Sequence, residues 1–153
     1  MTMIRSRHIF VDTNVLTYAP VDATPFHREA RVLLDKLWDD DVLLYISHQV
    51  IREYIANATR PQTYSPPIPM DIVLEQVEDF RKSFFILPDS AVVLAHFIDL
   101  VRKVAVGGKS VHDTNIVATM LANDIDTLLT HNVKDFDRYL GYLQVMPLIK
   151  KGQ

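Results

Sequence analysis

The sequence predicts an α/β fold, specifically a three-layer α/β/α sandwich around a central, mainly parallel sheet of about five strands. Short apolar runs alternate along the chain with amphipathic helix patterns, which is typical of parallel sheets covered by helices on both faces. The 153 residues include 48% hydrophobic and 23% charged residues, close to globular averages. Because this length suits one domain, we expect residues 1–153 to form a single domain.

The first half of the chain contains two predicted strands and two predicted helices. Residues 9–11 are a short apolar run, which we interpret as a strand leading into a polar turn at residues 12–14. An apolar stripe at helical spacing within residues 26–38 predicts an amphipathic helix. A second apolar run, residues 42–46, predicts a strand, and Ser47 is a suitable N-cap for the helix that follows it.

The second half repeats the alternation after a proline-rich connector at residues 60–69. Helical stripes lie within residues 70–80, 93–104 and 113–123, with a helical turn at 136–140. Predicted strands occupy residues 84–87, 127–130 and 143–146. The stripe of the helix after Ser90 is expected to face the core through Val93, Leu94, Phe97, Ile98, Val101 and Val104.

The composition excludes several chemistries. The chain has no cysteine, which excludes disulfides, a thiolate zinc site and a cysteine nucleophile. Its four glycines do not match the phosphate-binding motifs GxGxxG or GxxxxGK[ST]. No HExxH or GxSxG motif is present, which disfavours zinc and serine hydrolases. A formal charge of −3 argues against nucleic-acid binding through bulk positive charge.

The sequence shows neither an export signal nor a membrane-spanning segment. The longest unbroken apolar runs, residues 42–46 and 91–95, have five residues each, whereas a bilayer span needs about 20. The apolar run near the N-terminus, residues 9–11, is far shorter than a signal-peptide core. We therefore expect a cytoplasmic protein with no membrane partner.

Four acidic residues, Asp12, Glu53, Asp113 and Asp135, are placed so that they could meet at one edge of the predicted sheet. Ligands in parallel α/β sheets bind at the carboxyl ends of the strands, where these residues are expected. Converging carboxylates repel one another unless they share protons or bind a hard cation. Oxygen-only ligation suits Mg²⁺ or Mn²⁺, ions that assist phosphodiester hydrolysis.

Each acid also has a purely structural interpretation when it is taken alone. Asp12 could cap a helix, and Asp113 could favour the first turn of a helix through its dipole. Glu53 could lie on a solvated helix face, and Asp135 competes with Asp137 for the fourth position. Only their joint placement favours a functional site.

Four segments around these acids resemble the acidic motifs of PIN-domain ribonucleases, and most closely those of the VapC-type toxins of bacterial toxin–antitoxin pairs. The segments are Val11-Asp12-Thr13-Asn14-Val15-Leu16, Ile51-Arg52-Glu53-Tyr54, residues 112–119 and residues 129–136. They occur in the family's order, and the resemblance runs from about residue 8 to residue 147, essentially the whole chain.

The resemblance implies a PIN-like fold and a Mg²⁺- or Mn²⁺-dependent endoribonuclease that acts on single-stranded RNA. It also implies dimerisation and inhibition by a cognate antitoxin protein. Asp12 and Asp113 would be the principal metal ligands, and Glu53 would complete the site directly or through water. The fourth catalytic position is expected at Asp135, with Asn132 as a neutral oxygen ligand or substrate contact.

Other protein classes with a similar start to the sequence require residues that can be checked in this chain. A haloacid-dehalogenase-type phosphatase requires a second Asp two residues after the first, where this chain has Asn14. A phosphoacceptor receiver domain requires paired acids after the first strand and a late-strand Lys, and neither is present. A catalytically inert PIN-like RNA-binding or regulatory protein remains an alternative. Substrate contacts outside the acids could come from Arg52, Lys109, His112 and His131.

Overall fold

A computed structural model describes residues 6–63 and 65–150 and contains a five-stranded sheet in which every strand pair is parallel. The strand order is β3-β2-β1-β4-β5. The strands are β1 (His8–Val11), β2 (Leu43–Ser47), β3 (Phe85–Leu87), β4 (Thr127–Thr130) and β5 (Gln144–Pro147). The predicted parallel sheet of about five strands is therefore confirmed.

Helices connect all the strands and form the outer layers of the sandwich. They are α1 (Thr13–Tyr18), α2 (His27–Asp39), α3 (His48–Ala58), α4 (Met70–Ser83), α5 (Ala91–Lys103), α6 (Ser110–Ala122) and a 3₁₀ helix (Val133–Tyr139). Because parallel crossovers are right-handed, the steps from β1 to β2 and from β2 to β3 place α1–α4 on one face. The return from β3 to β4 places α5 and α6 on the other, where α6 contacts the 3₁₀ helix.

Two helix starts follow the predicted capping. The hydroxyl of Ser47 accepts a hydrogen bond from the Val50 amide at 3.3 Å, and Ser90 accepts one from the Val93 amide at 3.2 Å. Each bond satisfies an amide that has no partner within its helix. Ser47 directly follows β2, so its cap also sets the direction of α3 away from the sheet edge.

Two helix boundaries differ from the predictions. The expected turn after β1 is the helix α1, for which Asp12 is the N-cap. Its six residues are too few for the apolar periodicity that identifies longer helices. The late helix α6 begins at Ser110, three residues before the predicted start at Asp113. The prediction started later because residues 110–112 carry no apolar stripe.

The expectation that the whole stripe of α5 faces the core is wrong. Val93 is buried, but Leu94, Ile98 and Val101 are 57%, 43% and 40% exposed. Helix α5 packs mainly on α6, so only one edge of its apolar surface is covered within the chain. The buried residue on this helix that the stripe did not include is Leu100.

The core lies on both faces of the sheet and is centred on β1 and β4. Ile9, Phe10 and Val11 are fully buried, as are Leu128 and Leu129. These strands occupy interior positions of the sheet, which explains why their sequences are continuous apolar runs rather than alternating patterns. No helix within residues 6–63 and 65–150 is long and apolar enough to cross a membrane.

Replacing Phe10 with Ala should destabilise the protein by about 3–5 kcal/mol, because the ring is fully buried and its loss leaves a cavity. The matched control is Phe85→Ala on the edge strand β3, where the ring is 54% exposed and stacks on Tyr45. That change should cost about 1 kcal/mol or less. Urea unfolding of both variants measures the difference, and equal losses would contradict this placement of the core.

Candidate active site

Asp12 lies at the point where the strand order of the sheet reverses. Asp12 directly follows β1. Its backbone amide donates a hydrogen bond to the carbonyl of Leu129 on the neighbouring strand β4 at 2.9 Å. The chain leaves β1 toward β2 on one side, while β4 lies on the other side. Such a reversal opens a crevice at the carboxyl ends of the strands, the usual ligand site in this class of fold.

Three hydrogen bonds hold the Asp12 carboxylate, which is 6% exposed. Its Oδ1 accepts from the Thr13 amide at 2.8 Å. Its Oδ2 accepts from the Thr130 hydroxyl at 2.8 Å and from the Asn14 side-chain amide at 3.2 Å. Burial raises the pKa of Asp12 from its usual 3.8 to about 6, although these hydrogen bonds favour the charged form and oppose the increase.

The Asn14 side chain both donates and accepts hydrogen bonds, which explains why an amide occupies this position. Its amide nitrogen also donates to the Thr130 hydroxyl at 3.1 Å, and its Oδ1 accepts from the His131 backbone amide at 3.0 Å. The side chain thereby ties α1 to the segment after β4. A phosphatase of the haloacid-dehalogenase type would need an acid at this position, so the observed role of Asn14 disfavours that chemistry.

Glu53 reaches the site from α3 and is held through both of its oxygens. Oε2 accepts from the Thr13 hydroxyl at 2.9 Å, and Oε1 accepts from Gln49 at 2.7 Å. Gln49 is buried and also donates to the backbone carbonyl of His112 at 2.9 Å, while its oxygen accepts from Asn115 at 2.7 Å. This network joins α3 to α6, which carries Asp113.

Asp113 completes an electrostatically coupled group of acids. Burial, and then the negative charges of Asp12, Asp135 and Glu53, together raise its pKa from 3.8 to about 7, while Arg138 opposes the shift. Because interactions between charges are largely screened beyond about 10 Å in salt solution, this coupling indicates that all four predicted acids lie in one region. The two alternatives for the fourth position, Asp135 and Asn132, are both exposed there.

The geometry identifies partners that the sequence patterns did not single out. Thr130, Gln49 and Asn115 carry no charge and match no motif of ligand spacing, yet each contacts an acid or holds a residue that does. Thr130 and Asn115 lie within the motif segments 129–136 and 112–119, whereas the only sequence signal for Gln49 is its position one helical turn before Glu53.

The carboxylates fit a hard divalent cation in charge and donor type. Within residues 6–63 and 65–150, no group of three or more His, Asp or Glu side chains is placed so that it could hold a metal ion. Mg²⁺ needs no such set, because it is usually bound by one or two carboxylates together with water and substrate phosphate. Asp12 and Asp113 would supply two carboxylates of this kind.

The remaining candidate contacts divide into two groups. Arg52 forms an exposed ion pair with Asp89 at 2.9 Å, which supports the structural interpretation of that residue. Lys109 and His112 are exposed near the start of α6. His131, by contrast, packs against the ring of Phe26 at 4.3 Å between ring centres and lies beside the Asp12 network.

The acidic group should make the protein more stable at low pH. Because the pKa of Asp113 is higher in the folded protein than its usual 3.8, its contribution to stability is full below pH 3.8 and is lost as the pH rises through about 7. Asp113→Asn removes the loss of stability at high pH, because the amide side chain cannot become charged. At pH 8, with allowance for solvent screening, it should raise Tm by about 2–4 °C, equivalent to roughly 1 kcal/mol.

Thermal unfolding without divalent cations between pH 5 and 8 measures this effect. The gain from Asp113→Asn should shrink as the pH falls. Asp79→Asn, on an exposed position of α4, is the matched control and should leave Tm nearly unchanged throughout. A lower Tm for Asp113→Asn at pH 8 would show that the carboxylate is stabilising and would refute the electrostatic account.

Comparison with known proteins gives consistent matches in sequence and structure. The chain is 27% identical over 134 residues to Ribonuclease VapC48 of Mycobacterium tuberculosis, covering 85% of this chain and 90% of that protein. It superposes on VapBC2 from Rickettsia felis, bound to a promoter DNA fragment, with a TM-score of 0.66 and 20% identity, covering 92% and 98% of the two chains. For a toxin–antitoxin complex from Klebsiella pneumoniae, the TM-score is 0.65 at 20% identity, with 93% and 98% covered.

The family assignment rests on a match that covers most of the chain. The match to the PIN domain family extends over residues 9–140. This range contains all four acids and runs from the start of β1 to the end of the 3₁₀ helix. The resemblance inferred from the four acidic motifs is therefore confirmed: the chain belongs to the PIN domain family.

Proposed function

We propose that this protein is a divalent-metal-dependent endoribonuclease that hydrolyses single-stranded RNA and is the toxin of a toxin–antitoxin pair. The observation that carries the proposal is the group of electrostatically coupled acids next to the point where the strand order of a PIN-domain sheet reverses. Asp12, Glu53 and Asp135 all raise the pKa of Asp113, so the site concentrates negative charge where a cation would bind. The similarity to Ribonuclease VapC48 supports the reaction class.

In this proposal Asp12 and Asp113 hold Mg²⁺ or Mn²⁺, and Glu53 and Asp135 complete the site. When bound, such an ion polarises the phosphodiester and lowers the pKa of a water molecule for attack on phosphorus. The protein residues provide orientation. Thr130 and Asn14 direct the Asp12 oxygens, and Gln49 and Thr13 fix Glu53.

The scaffold around the acids suits a reaction that depends on positioning. Asp12 is fixed by the ends of two interior strands, while Glu53 and Asp113 come from helices that Gln49 and Asn115 bridge. Sites built on strands and helices hold their groups more accurately than sites on loops. In-line phosphoryl chemistry gains much of its rate from such fixed geometry.

We also propose a cognate antitoxin and a homodimer or larger assembly with it as the partners of this cytoplasmic protein. The similarity to the Klebsiella pneumoniae toxin–antitoxin complex supports the antitoxin. The exposed apolar side chains of α5, Leu94, Ile98 and Val101, support association with another protein surface. An inert RNA-binding protein is the alternative, and it predicts RNA binding without metal-dependent cleavage.

Cleavage of single-stranded RNA should require Mg²⁺ or Mn²⁺ and should stop when a chelator removes the ion. Asp12→Asn and Asp113→Asn should each reduce the rate by about 100-fold or more, because each removes a proposed ligand charge. Gel analysis of labelled RNA with each ion and with chelator measures these effects.

Asp79→Asn is the control for the loss of one carboxylate and should cleave RNA at the normal rate. Folding of each variant is checked by its thermal transition, since Asp113→Asn is expected to be at least as stable as the original chain at pH 8. Cleavage that persists in chelator and survives both substitutions would refute the metal site. RNA binding without cleavage would favour the inert alternative.

Asp135 and Asn132 should differ in their effect on the reaction. If Asp135 fills the fourth position, Asp135→Asn should raise the concentration of Mn²⁺ needed for half-maximal cleavage by about 10-fold or more, because it removes a charge near Asp113. Asn132→Ala should leave this concentration unchanged and act only on KM, as expected for a substrate contact. Metal titration of cleavage by both variants decides between the two residues, and the reverse pattern would assign the fourth position to Asn132.

A further inference from the structure

Three aromatic rings form a cluster beside the acidic site. The rings of Phe26 and His131 have centres 4.3 Å apart, at an angle of 40°. Tyr18 packs edge-on against both, at 5.6 Å from Phe26 and 5.8 Å from His131. All three residues are half-buried, and Tyr18 and Phe26 pack against the hydrophobic core, so the cluster is anchored to the core and remains partly open to solvent.

The cluster is tied directly to Asp12. The backbone amide of His131 donates to Asn14 at 3.0 Å, and Asn14 in turn donates to the Asp12 carboxylate. Tyr18 ends the short helix that Asp12 caps. The position of the rings relative to the acids is therefore set by the same hydrogen bonds that orient the carboxylate.

The backbone at Phe26 is in an unfavourable conformation for an aromatic residue. Its φ of 59° places it in the left-handed region, where Gly and Asn are favoured. Phe26 directly precedes α2, and its ring packs against the core and against Tyr18 and His131. Strained residues of this kind concentrate at functional sites, where the surrounding structure holds them in place.

We propose that Phe26 and His131 form a base-stacking platform that binds an unpaired base of the RNA next to the scissile phosphate. This inference rests on the proposed function and adds a subsite to it. Every base has a π-face that can stack on an aromatic ring, and single strands leave that face available. Tyr18 supports the two rings from the side. A duplex keeps its bases stacked and paired, so the platform selects single-stranded substrate.

The test measures stacking and affinity separately. Oligoribonucleotides that carry 2-aminopurine at successive positions report stacking through fluorescence quenching, and the Asp113→Asn background prevents cleavage during the measurement. Phe26→Leu and His131→Leu should each raise Kd for the single-stranded probe by about 5- to 100-fold and remove quenching at one position. Affinity for the corresponding duplex should not change.

Conservative variants separate an aromatic role from a packing role. Phe26→Tyr and His131→Phe keep a ring and should retain both affinity and quenching. Phe85→Leu removes an exposed ring from β3, away from the acids, and should bind like the parent protein. Because Phe26→Leu could disturb folding, its thermal transition is measured, and His131→Leu provides an independent variant.

The outcomes distinguish this proposal from the proposed function. If the parent chain cleaves RNA but both Leu variants retain affinity and quenching, the platform is refuted and the nuclease assignment stands. An equal loss in the Leu and aromatic variants would also refute it, because it would show a packing effect. A parent protein that neither binds nor cleaves single-stranded RNA would overturn both.

Discussion

The burial of the Asp12 carboxylate is the constraint on which the rest of the site depends. Burying a carboxylate lowers the stability of the folded protein unless hydrogen-bond donors surround it. Here the donors come from two different elements on either side of the crevice. Thr13 and Asn14 belong to α1, whereas Thr130 ends β4. Satisfying one carboxylate therefore joins the first helix to an interior strand, and this junction positions the aromatic cluster, the loop after β4 and, through Thr13, Glu53 as well.

Most of the fold, and the expectation that the four acids lie in one region, could be predicted from the sequence, because both follow from strands and helices that have local signals. Continuous apolar runs mark interior parallel strands, and the caps at Ser47 and Ser90 are visible in the sequence itself. The partners that are distant in sequence could not be predicted in this way. Gln49 contacts residues 63 and 66 positions away, and no local pattern encodes which distant polar side chain a neutral amide will meet. The exposed half of α5 was missed for a related reason, since periodicity shows that a face is apolar but not what covers it.

The acidic cluster also changes the meaning of the net charge. A chain at −3 seems unsuited to a polyanion, yet four of its 19 acidic residues belong to one proposed site. Without them, 15 acidic residues would face 16 basic ones. The negative charge is thus concentrated rather than spread, and a bound divalent cation would reverse its local sign and attract phosphate. Burial, and to a smaller extent the neighbouring negative charges, raise the pKa values of Asp12 and Asp113, which is a stability cost of placing these acids together.

The pairing of β1 with β4 has a consequence for protein synthesis. The hydrogen bond between Asp12 and Thr130 spans 118 positions, so β1 can pair with β2 early but gains its second neighbour, β4, only after a much longer stretch of chain has been synthesised. Parallel pairings over such distances form late, after much of the chain is available. A nascent chain that displays only the first three strands lacks Asp113, Thr130 and the support for Asp12. The four acids can therefore come together only after the chain has been synthesised as far as Asp135, so the proposed site assembles late in folding.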